Sequence, residues 1–335
     1  MKRIVLTALI VLLIAPGVAR SGNPVSKRGT TAAPFLQFGV GPRAVGMGEA
    51  FTAVANDPSA MYWNPAGMER LSGSEVSFSY MNWVADMDFM YAGIVFKTGS
   101  AGSFGISMTS LSTPEMLVRT VDEPEGLGSR FDAADLALGV SYAKYLTDRF
   151  SFGGTFKYIQ RRIWHMEASA IALDFGALYS LPVNGMKLGI SISNMGTKLQ
   201  MNGSDLTVST DIDPLKQGNT TAVLTDLRTK EWSLPLLFRF GLAYDLVESE
   251  SHTLTVASDY LHPNDNTESV NVGLEYTFES LLTLRGGYQS LFMEEHEKGL
   301  TLGVGLRQGG VCIDYSYSEL QNLGYVQQFS ARIAF

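Results

Sequence analysis

One pattern repeats from residue 74 to the end of the chain: roughly ten residues of alternating character, then a polar or glycine-rich turn. In residues 136–142 every second side chain is large and apolar, and those between are Ala, Gly and Ser. Successive side chains of a strand point to opposite faces, so each segment predicts a strand with one apolar and one small or polar face. The predicted strands are 74–83, 88–97, 103–112, 131–146, 149–163, 167–180, 186–195, 234–246, 252–261, 268–278, 281–290, 299–307, 311–318 and 325–335.

The small and polar face also carries charged residues of both signs. They are Asp135, Lys157, Asp174, Arg239, Asp245, Asp259, Glu275, Arg285, Arg307, Asp314 and Arg332. A soluble sandwich would show the same alternation, with its polar face in water. A barrel in lipid places the apolar face outside and encloses the polar face, which fits glycines and charges of nearly balanced sign. The pattern therefore favours an all-β fold, a fourteen-stranded antiparallel transmembrane β-barrel.

The connections support this count. Single-chain bacterial barrels have an even number of strands, short periplasmic turns and longer outer loops. If the first strand runs outward, every even-numbered connection is short, whereas the odd-numbered set includes the two longest, 113–130 and 196–233.

The first residues predict export and localisation in the cell outer membrane. Lys2 and Arg3 precede an apolar run, residues 4–15, which is shorter than the roughly 20 residues of a spanning helix, and small residues follow it. We expect a signal peptide at 1–19, cleaved after Ala19, a hatch at 20–73 inside the barrel, and the barrel at 74–335. The net charge of −8 argues against a nucleic-acid partner. The one cysteine, Cys312, cannot form an internal disulfide.

Residues 31–73 do not follow the strand pattern. Two prolines, Pro58 and Pro65, each follow a residue that can cap a helical turn, Asp57 and Asn64, so we predict two short helical turns, the second ending at Gly67. Glycines in this segment would let the backbone pass close to other backbone, as a plug requires. A phosphate-binding loop is disfavoured, because the Gly-Lys-Ser/Thr ending is missing.

The stretch FLQFGVGPRAVGMGEAFTAVANDPSAMYWNPAGM, residues 35–68, resembles the N-terminal signature of the PorV/PorQ family, a branch of the FadL-type outer-membrane barrels. The resemblance continues closely to about residue 160 and implies fourteen strands with an internal N-terminal hatch. It places the Asn64-Pro65-Ala66 element at the family's hatch motif, and Trp83 and Asp86 at its first outer turn. The candidate hatch or gating residues are Arg43, Gly46, Gly48, Glu49, Asp57, Asn64, Pro65, Ala66 and Gly67.

The sequence gives little support for metal binding or catalysis. Histidines 165, 252, 262 and 296 occur singly, without metal-ligand spacing. Residues 294–297, Glu-Glu-His-Glu, are more simply a solvated loop tip than a cation site. A phospholipase-like barrel would need a Ser–His pair on the lipid face, which the pattern does not provide. We therefore expect no enzyme activity, no metal and no cofactor.

Two functions remain open. The resemblance to PorV implies an interaction or shuttle role with type IX secretion machinery or exported cargo, with the long loops as contact surfaces. The FadL-type resemblance implies a channel for fatty acids or other hydrophobic molecules, gated around Asn64-Pro65-Ala66. The lumen charges could accordingly hold hatch to wall or line a hydrophilic path. Besides outer-membrane lipid, the expected partners are secretion proteins or cargo, or a hydrophobic small molecule. The oligomeric state stays open.

Overall fold

The computed structural model describes residues 27–183, 185–211, 223–293 and 299–335. The predicted signal peptide and its cleavage after Ala19 lie outside these ranges, as do the first hatch residues, 20–26.

Fourteen antiparallel strands form one closed wall, which confirms the predicted fold class. The wall strands are β1 (Glu75–Asn82), β2 (Asp88–Lys97), β3 (Ser103–Ser112), β4 (Ala133–Thr147), β5 (Phe150–Ile163), β6 (Met166–Ser180), β7 (Met186–Gly196), β8 (Leu237–Glu248), β9 (His252–Pro263), β10 (Ser269–Phe278), β11 (Leu282–Leu291), β12 (Leu300–Gln308), β13 (Val311–Glu319) and β14 (Tyr325–Ala334). Each strand pairs with its sequence neighbours, and β1 pairs with β14 to close the barrel. Closure satisfies the backbone groups that an open edge would leave unpaired in lipid.

Predicted and observed strand ends agree within three residues. The largest difference is at β8, which begins at Leu237 instead of residue 234. Pro235 has no N–H group to donate to a ladder, so the strand starts beyond it.

The apolar face points outward, as the alternation predicts. Large side chains such as Ile106, Val140 and Phe156 are exposed on the outer surface, whereas Asp174, Asp259 and Asp314 are buried inside. The facing of β2, ambiguous in the sequence, is settled by the hatch: Phe89, Tyr91 and Val95 point inward and are fully or almost fully buried.

The two barrel ends differ as predicted. Connections of a few residues close one end, which we call the short-turn end. The opposite, long-loop end carries residues 113–132 and 197–236. Within these loops two small hairpins form, one pairing Met116–Leu117 with Arg130–Phe131 and one pairing Thr207–Thr210 with Val223–Asp226. By the usual asymmetry of such barrels the long-loop end faces outward.

Four short helical segments lie in residues 27–73, the described part of the hatch, where the sequence predicted two. They are a 3-10 turn at Pro34–Gln37, α1 (Pro42–Gly46), α2 (Ala60–Trp63) and a 3-10 helix at Pro65–Arg70. The prediction that the last one ends at Gly67 was wrong, because the helix continues to Arg70. The prediction also missed α1, although Pro42 at the start of a helix follows the rule applied to Pro58 and Pro65.

The hatch crosses the barrel from one end to the other. Thr31 and Gln37 bond to Asp265 at the long-loop end. At the short-turn end, the Lys97 ammonium donates to the carbonyls of Glu69 and Leu71. The chain therefore descends through the lumen before it enters β1. No helix in the described residues is long and apolar enough to cross a membrane.

Candidate functional site

The hatch–wall boundary contains a cluster of buried ion pairs, which we call the arginine cluster. Its members are Arg43 and Asp57 of the hatch and Glu75, Glu275, Arg285, Asp314 and Arg332 of the wall. The Arg43 guanidinium donates in parallel to both oxygens of Glu275, with both N–O distances 2.8 Å. Such a bidentate pair fixes orientation as well as charge. Here it ties the hatch to β10.

Two wall arginines extend the cluster around the barrel. Arg285 donates to Glu275 and to Asp314, each at 2.7 Å. Arg332 reaches Asp314 at 3.0 Å and Asp57 of the hatch at 3.6 Å. In this chain of ion pairs, each carboxylate of the arginine cluster has a cationic partner, as the burial of charge requires.

The Glu275 and Asp57 carboxylates compensate the charge of Arg43, which is buried inside the lumen. A guanidinium is charged at neutral pH even in water, so the hatch carries a permanent positive charge at this point.

Backbone groups of the hatch bond directly to wall side chains. The Asp259 carboxylate accepts from the N–H groups of Phe51 and Thr52, at 3.0 and 2.9 Å. Three strands further along the wall, Thr301 of β12 accepts from the Gly48 N–H at 3.0 Å. A buried N–H without a partner is costly, so these contacts replace the helix or sheet bonds that this irregular segment lacks.

The Asn64-Pro65-Ala66 element lies against β5 and β6. Asn64 caps the 3-10 helix by accepting from the Ala66 N–H at 3.2 Å, and its amide donates to the carbonyls of Thr52 and Ala177. Asp57 behaves similarly, since its Oδ1 accepts from the Ser59 N–H at 2.9 Å. Asn64 therefore caps its helix as predicted and also joins hatch to wall. Asp57 caps only the turn that precedes α2, because this helix begins at Ala60, two residues later than the predicted start at Pro58.

Glycine in the wall sets how closely the hatch can approach. A Cβ added at Gly153 would lie 2.7 Å from the Pro65 carbonyl carbon, and one at Gly241 would lie 2.9 Å from the Ala53 nitrogen. Gly46 of the hatch meets Gly303 in the same way. The glycine-rich inward face is thus a backbone-to-backbone contact surface. Among the other candidate hatch residues, Gly67 packs on Ala55 within the hatch itself.

Aromatic residues complete the packing. The Arg239 guanidinium lies over the rings of Tyr62 and Trp63, 5.7 and 5.1 Å from their centroids. Trp63 donates its indole N–H to the Val40 carbonyl at 2.8 Å, and Tyr91 of β2 donates to Pro58 at 2.9 Å. Cation–π contacts of a desolvated arginine stabilise by about 2 kcal/mol.

The remaining lumen charges form separate pairs. Lys157 bonds to Asp174 at 2.8 Å, Asp135 to Arg161 at 2.8 Å and Asp245 to Lys187 at 2.8 Å. The sequence-based set therefore divides into one cluster and several local pairs. Arg307 faces inward beside Cys312 but is exposed at the short-turn end.

Sequence reasoning missed several partners in this region. Glu75, Arg161 and Lys187 lie near strand ends, where a strand can also be read as a turn. Their inward position in the alternation was the signal that could have identified them.

A packed cluster of buried apolar side chains lies in the long-loop half of the lumen, and we call this region the Phe35 chamber. Phe35 and Leu36 of the hatch pack there with Leu199 and Leu234 of the long loop. Its wall is made mainly of small side chains. They are Ala137, Ala168, Ala170 and Ala172, together with Ile159.

No group of three or more metal-ligating side chains occurs in the described ranges. The 294–297 loop tip, which includes His296, lies outside those ranges. His165 pairs with Asp205 at 3.0 Å and His262 with Glu268 at 3.1 Å, both on the exposed loops.

The loop base offers a pH-dependent contact. Arg162 donates two hydrogen bonds to Asp132, at 2.9 and 2.6 Å, and these bonds lower the pKa of Asp132. A carboxyl group whose pKa is lower in the folded than in the unfolded state stabilises the fold at a pH above its unfolded pKa of about 4. This stabilisation is lost as the pH falls through the folded-state pKa. We expect pepsin, a protease that is active at low pH, to cut residues 113–132 faster as the pH falls below about 4, and Asp132→Asn to remove that acid dependence. Equal acid dependence in the variant would contradict this.

Solved structures of similar fold include a hydrocarbon channel and two toluene transporters. The CymD monoaromatic hydrocarbon channel is 12% identical with a TM-score of 0.58, covering 89% of this chain and 98% of that one. The toluene transporter TbuX of Ralstonia pickettii is 16% identical with a TM-score of 0.56, covering 88% and 97%. TodX of Pseudomonas putida is 12% identical with a TM-score of 0.55, covering 87% and 96%. At such identities the likeness shows the fold alone, a closed β-barrel.

The family is established by sequence. The model described as "Type IX secretion system protein PorV" matches residues 23–211, more than half of the chain. The protein therefore belongs to the PorV family. A search of curated proteins returned no match.

Proposed function

We propose that this protein is an interaction component of a type IX-like secretion system in the outer membrane, which receives exported cargo or contacts the machinery at its long-loop end. The hatch then acts as a plug. The observation that carries this proposal is the anchoring of the hatch on several sides of the lumen, through the arginine cluster, Asp259, Thr301 and Asn64. The family membership supports it.

Apolar residues on the two loop hairpins supply a surface for such a contact. Val121 at the tip of the first hairpin is 99% exposed, and Leu224 on the second is 73% exposed. Leu127 and Leu227 are also exposed nearby in sequence. Contiguous exposed apolar patches mark protein interaction sites, and the proposal takes these side chains to be part of such a patch.

The test is copurification after mild crosslinking in the native host. We expect the unmodified protein to recover secretion components or cargo, and the variant Val121→Asp with Leu224→Asp to recover at least tenfold less. The matched control is Thr120→Asp with Thr225→Asp, which adds the same charge at neighbouring positions without removing an apolar group. Recovery of no secretion component by the unmodified protein, or equal losses in both variants, would contradict the proposal.

A second function is favoured by the Phe35 chamber. We propose, as the alternative, a FadL-like channel in which a hydrophobic molecule displaces Phe35 and Leu36 from the alanine-lined chamber, with Asn64-Pro65-Ala66 gating the path below. Lipid extraction of the purified protein tests it. A hydrophobic molecule retained by the native chain but lost in Ala170→Trp, which fills the chamber, would support transport, and its absence from both would oppose it.

The other site assignments are part of the same proposal. Arg43, Gly46, Gly48 and Glu49 would hold the hatch closed in either function. No enzymatic step is proposed for the protein. The export signal at residues 1–19 would be removed on passage to the outer membrane, and N-terminal sequencing of the exported protein tests this.

A further inference from the structure

The first described part of the hatch is held by a loop, whereas the part that follows is held by wall strands. We call residues 31–37 the entry strap. The Asp265 carboxylate, in the loop between β9 and β10, accepts from the Thr31 hydroxyl at 2.5 Å and from the Gln37 amide at 3.0 Å. Asp265 is buried, so these hydrogen bonds form in a space largely closed to water. No strap residue belongs to the arginine cluster, and the hold on the strap is therefore separate from it.

The end of the long loop is bonded to the same place. The Asn264 side-chain amide, next to the acceptor carboxylate, donates to the Leu234 carbonyl at 3.1 Å. The Ala32 N–H of the strap donates to the Ser233 carbonyl at 2.9 Å. We call residues 232–236 the loop foot. It is bonded both to the entry strap and to the β9–β10 loop.

These three segments meet over the Phe35 chamber. Phe35 and Leu36 of the strap are buried there against Leu234 of the foot and Leu199 at the start of the same loop. The Tyr62 hydroxyl adds one hydrogen bond from the hatch below, to the Leu36 carbonyl at 3.1 Å. Because strap and foot supply hydrogen-bond partners and apolar contacts to each other, lifting one of them exposes groups of the other. Segments linked in this way open cooperatively.

Beyond the strap, the hatch is fixed at two consecutive residues. The Gly39 carbonyl accepts from the Gln328 amide at 3.3 Å, and the Val40 carbonyl accepts from the Trp63 indole at 2.8 Å. Gly41 follows with a φ of +83°, a conformation that favours glycine. The boundary between the strap and the anchored hatch therefore lies in residues 38–41, where glycines can absorb a change of backbone direction.

We propose that the entry strap, the loop foot and residues 264–265 form one latch, which opens as a unit and uncovers the Phe35 chamber while the hatch after Gly41 stays seated. A partner that displaces the long loop opens the chamber from the long-loop end. The latch thus connects the loop surface with the chamber. It follows from the contacts of this chain alone and does not rest on either proposed function.

Hydrogen–deuterium exchange, read by mass spectrometry, tests the latch in the unmodified mature protein in phosphatidylcholine nanodiscs. We expect peptides covering 31–38 and 230–236 to report the same equilibrium constant for opening. That constant should be at least tenfold larger than the constant for residues 48–54, where the Phe51 and Thr52 N–H groups bond to Asp259. Different constants for strap and foot, or one constant for all three peptides, overturn the proposal.

A variant then assigns the coupling to one carboxylate. Asp265→Ala should raise the opening constants of strap and foot together, at least tenfold, and leave residues 48–54 unchanged. The matched control is Glu268→Ala, which removes an exposed carboxylate of the same loop that pairs with His262 and not with the strap. Faster exchange of the strap alone, or an equal effect of Glu268→Ala, contradicts the assignment. The comparison in the unmodified protein remains decisive if a variant fails to fold.

Access to the chamber is measured with a thiol placed in its wall. Ala170→Cys, made together with Cys312→Ser, adds a thiol at a buried position of the chamber. Its rate of reaction with methanethiosulfonate ethylammonium should rise at least tenfold when Asp265→Ala is added, and should not change with Glu268→Ala. An unchanged rate with Asp265→Ala, in a barrel that still migrates as folded without heating, would show that the latch does not cover the chamber.

Discussion

Arg43→Met is expected to destabilise the folded barrel by roughly 3–5 kcal/mol, the range for removing one partner from a buried ion pair. The substitution keeps an unbranched side chain of similar length but leaves Glu275 with Arg285 as its remaining cationic partner, and Asp57 with Arg332 at 3.6 Å. Urea unfolding in lipid vesicles, followed by tryptophan fluorescence, measures the free energy of unfolding. Trypsin digestion of the folded protein should also reveal a more accessible hatch.

The matched control for this result is Arg161→Met. Arg161 pairs with Asp135 at 2.8 Å, but both residues belong to the wall, so the hatch is not involved. Arg161 is also more exposed than Arg43, and its pair should contribute less. Equal losses of stability in the two variants, or an unchanged hatch digestion pattern in Arg43→Met, would show that the arginine cluster does not hold the hatch.

Gly287→Ala is expected to prevent the hatch from seating, and so to lower both the yield of folded barrel and its thermal stability. A Cβ at Gly287 would clash with the backbone of Met47 and Gly48, which cannot rotate away as a side chain would. Overpacking of this kind costs about 1–3 kcal/mol where neighbours can shift, and more where they cannot. The fraction that migrates as folded barrel without heating, measured over a temperature series, gives the effect.

Gly286→Ala is the control, one residue away on the same strand. Nothing lies within 4 Å of a Cβ at this position, because it points away from the hatch. The two variants share strand, composition and change in β-propensity, so only the hatch contact differs. We expect Gly286→Ala to fold as the native protein does. If both variants or neither lost folded barrel, close packing of the hatch on β11 would not be the cause.

Much of this architecture was predictable from local sequence. The alternation at residues 136–142 specifies a strand and its two faces without reference to any other part of the chain. The lengths of the connections also predicted which end of the barrel each connection lies at, because short and long connections alternate along the chain. The caps at Asp57 and Asn64 were readable for the same reason, since a cap depends on the few residues that follow it.

The site was less predictable, because it depends on residues far apart in sequence. Arg43 was recognised as a charge needing a partner, but its pairing with Glu275 joins positions separated by 232 residues. Likewise, the sequence shows Gly287 only as one more small residue of a strand, and its contact with Gly48 is visible only in the structure. The burial of Ser316 and Gln328 between hatch and wall could not be identified before their neighbours were known.

The sequence alone determined the class of fold, the number of strands, and which face of every strand except β2 meets lipid, because a period of two residues and a turn signal are properties of a short segment. Only the tertiary structure decided how the hatch is held, which charges meet, and where cavities remain. Those features arise when the barrel closes and brings β1, β10 and β14 around Pro34–Arg70 in a lumen that only closure creates.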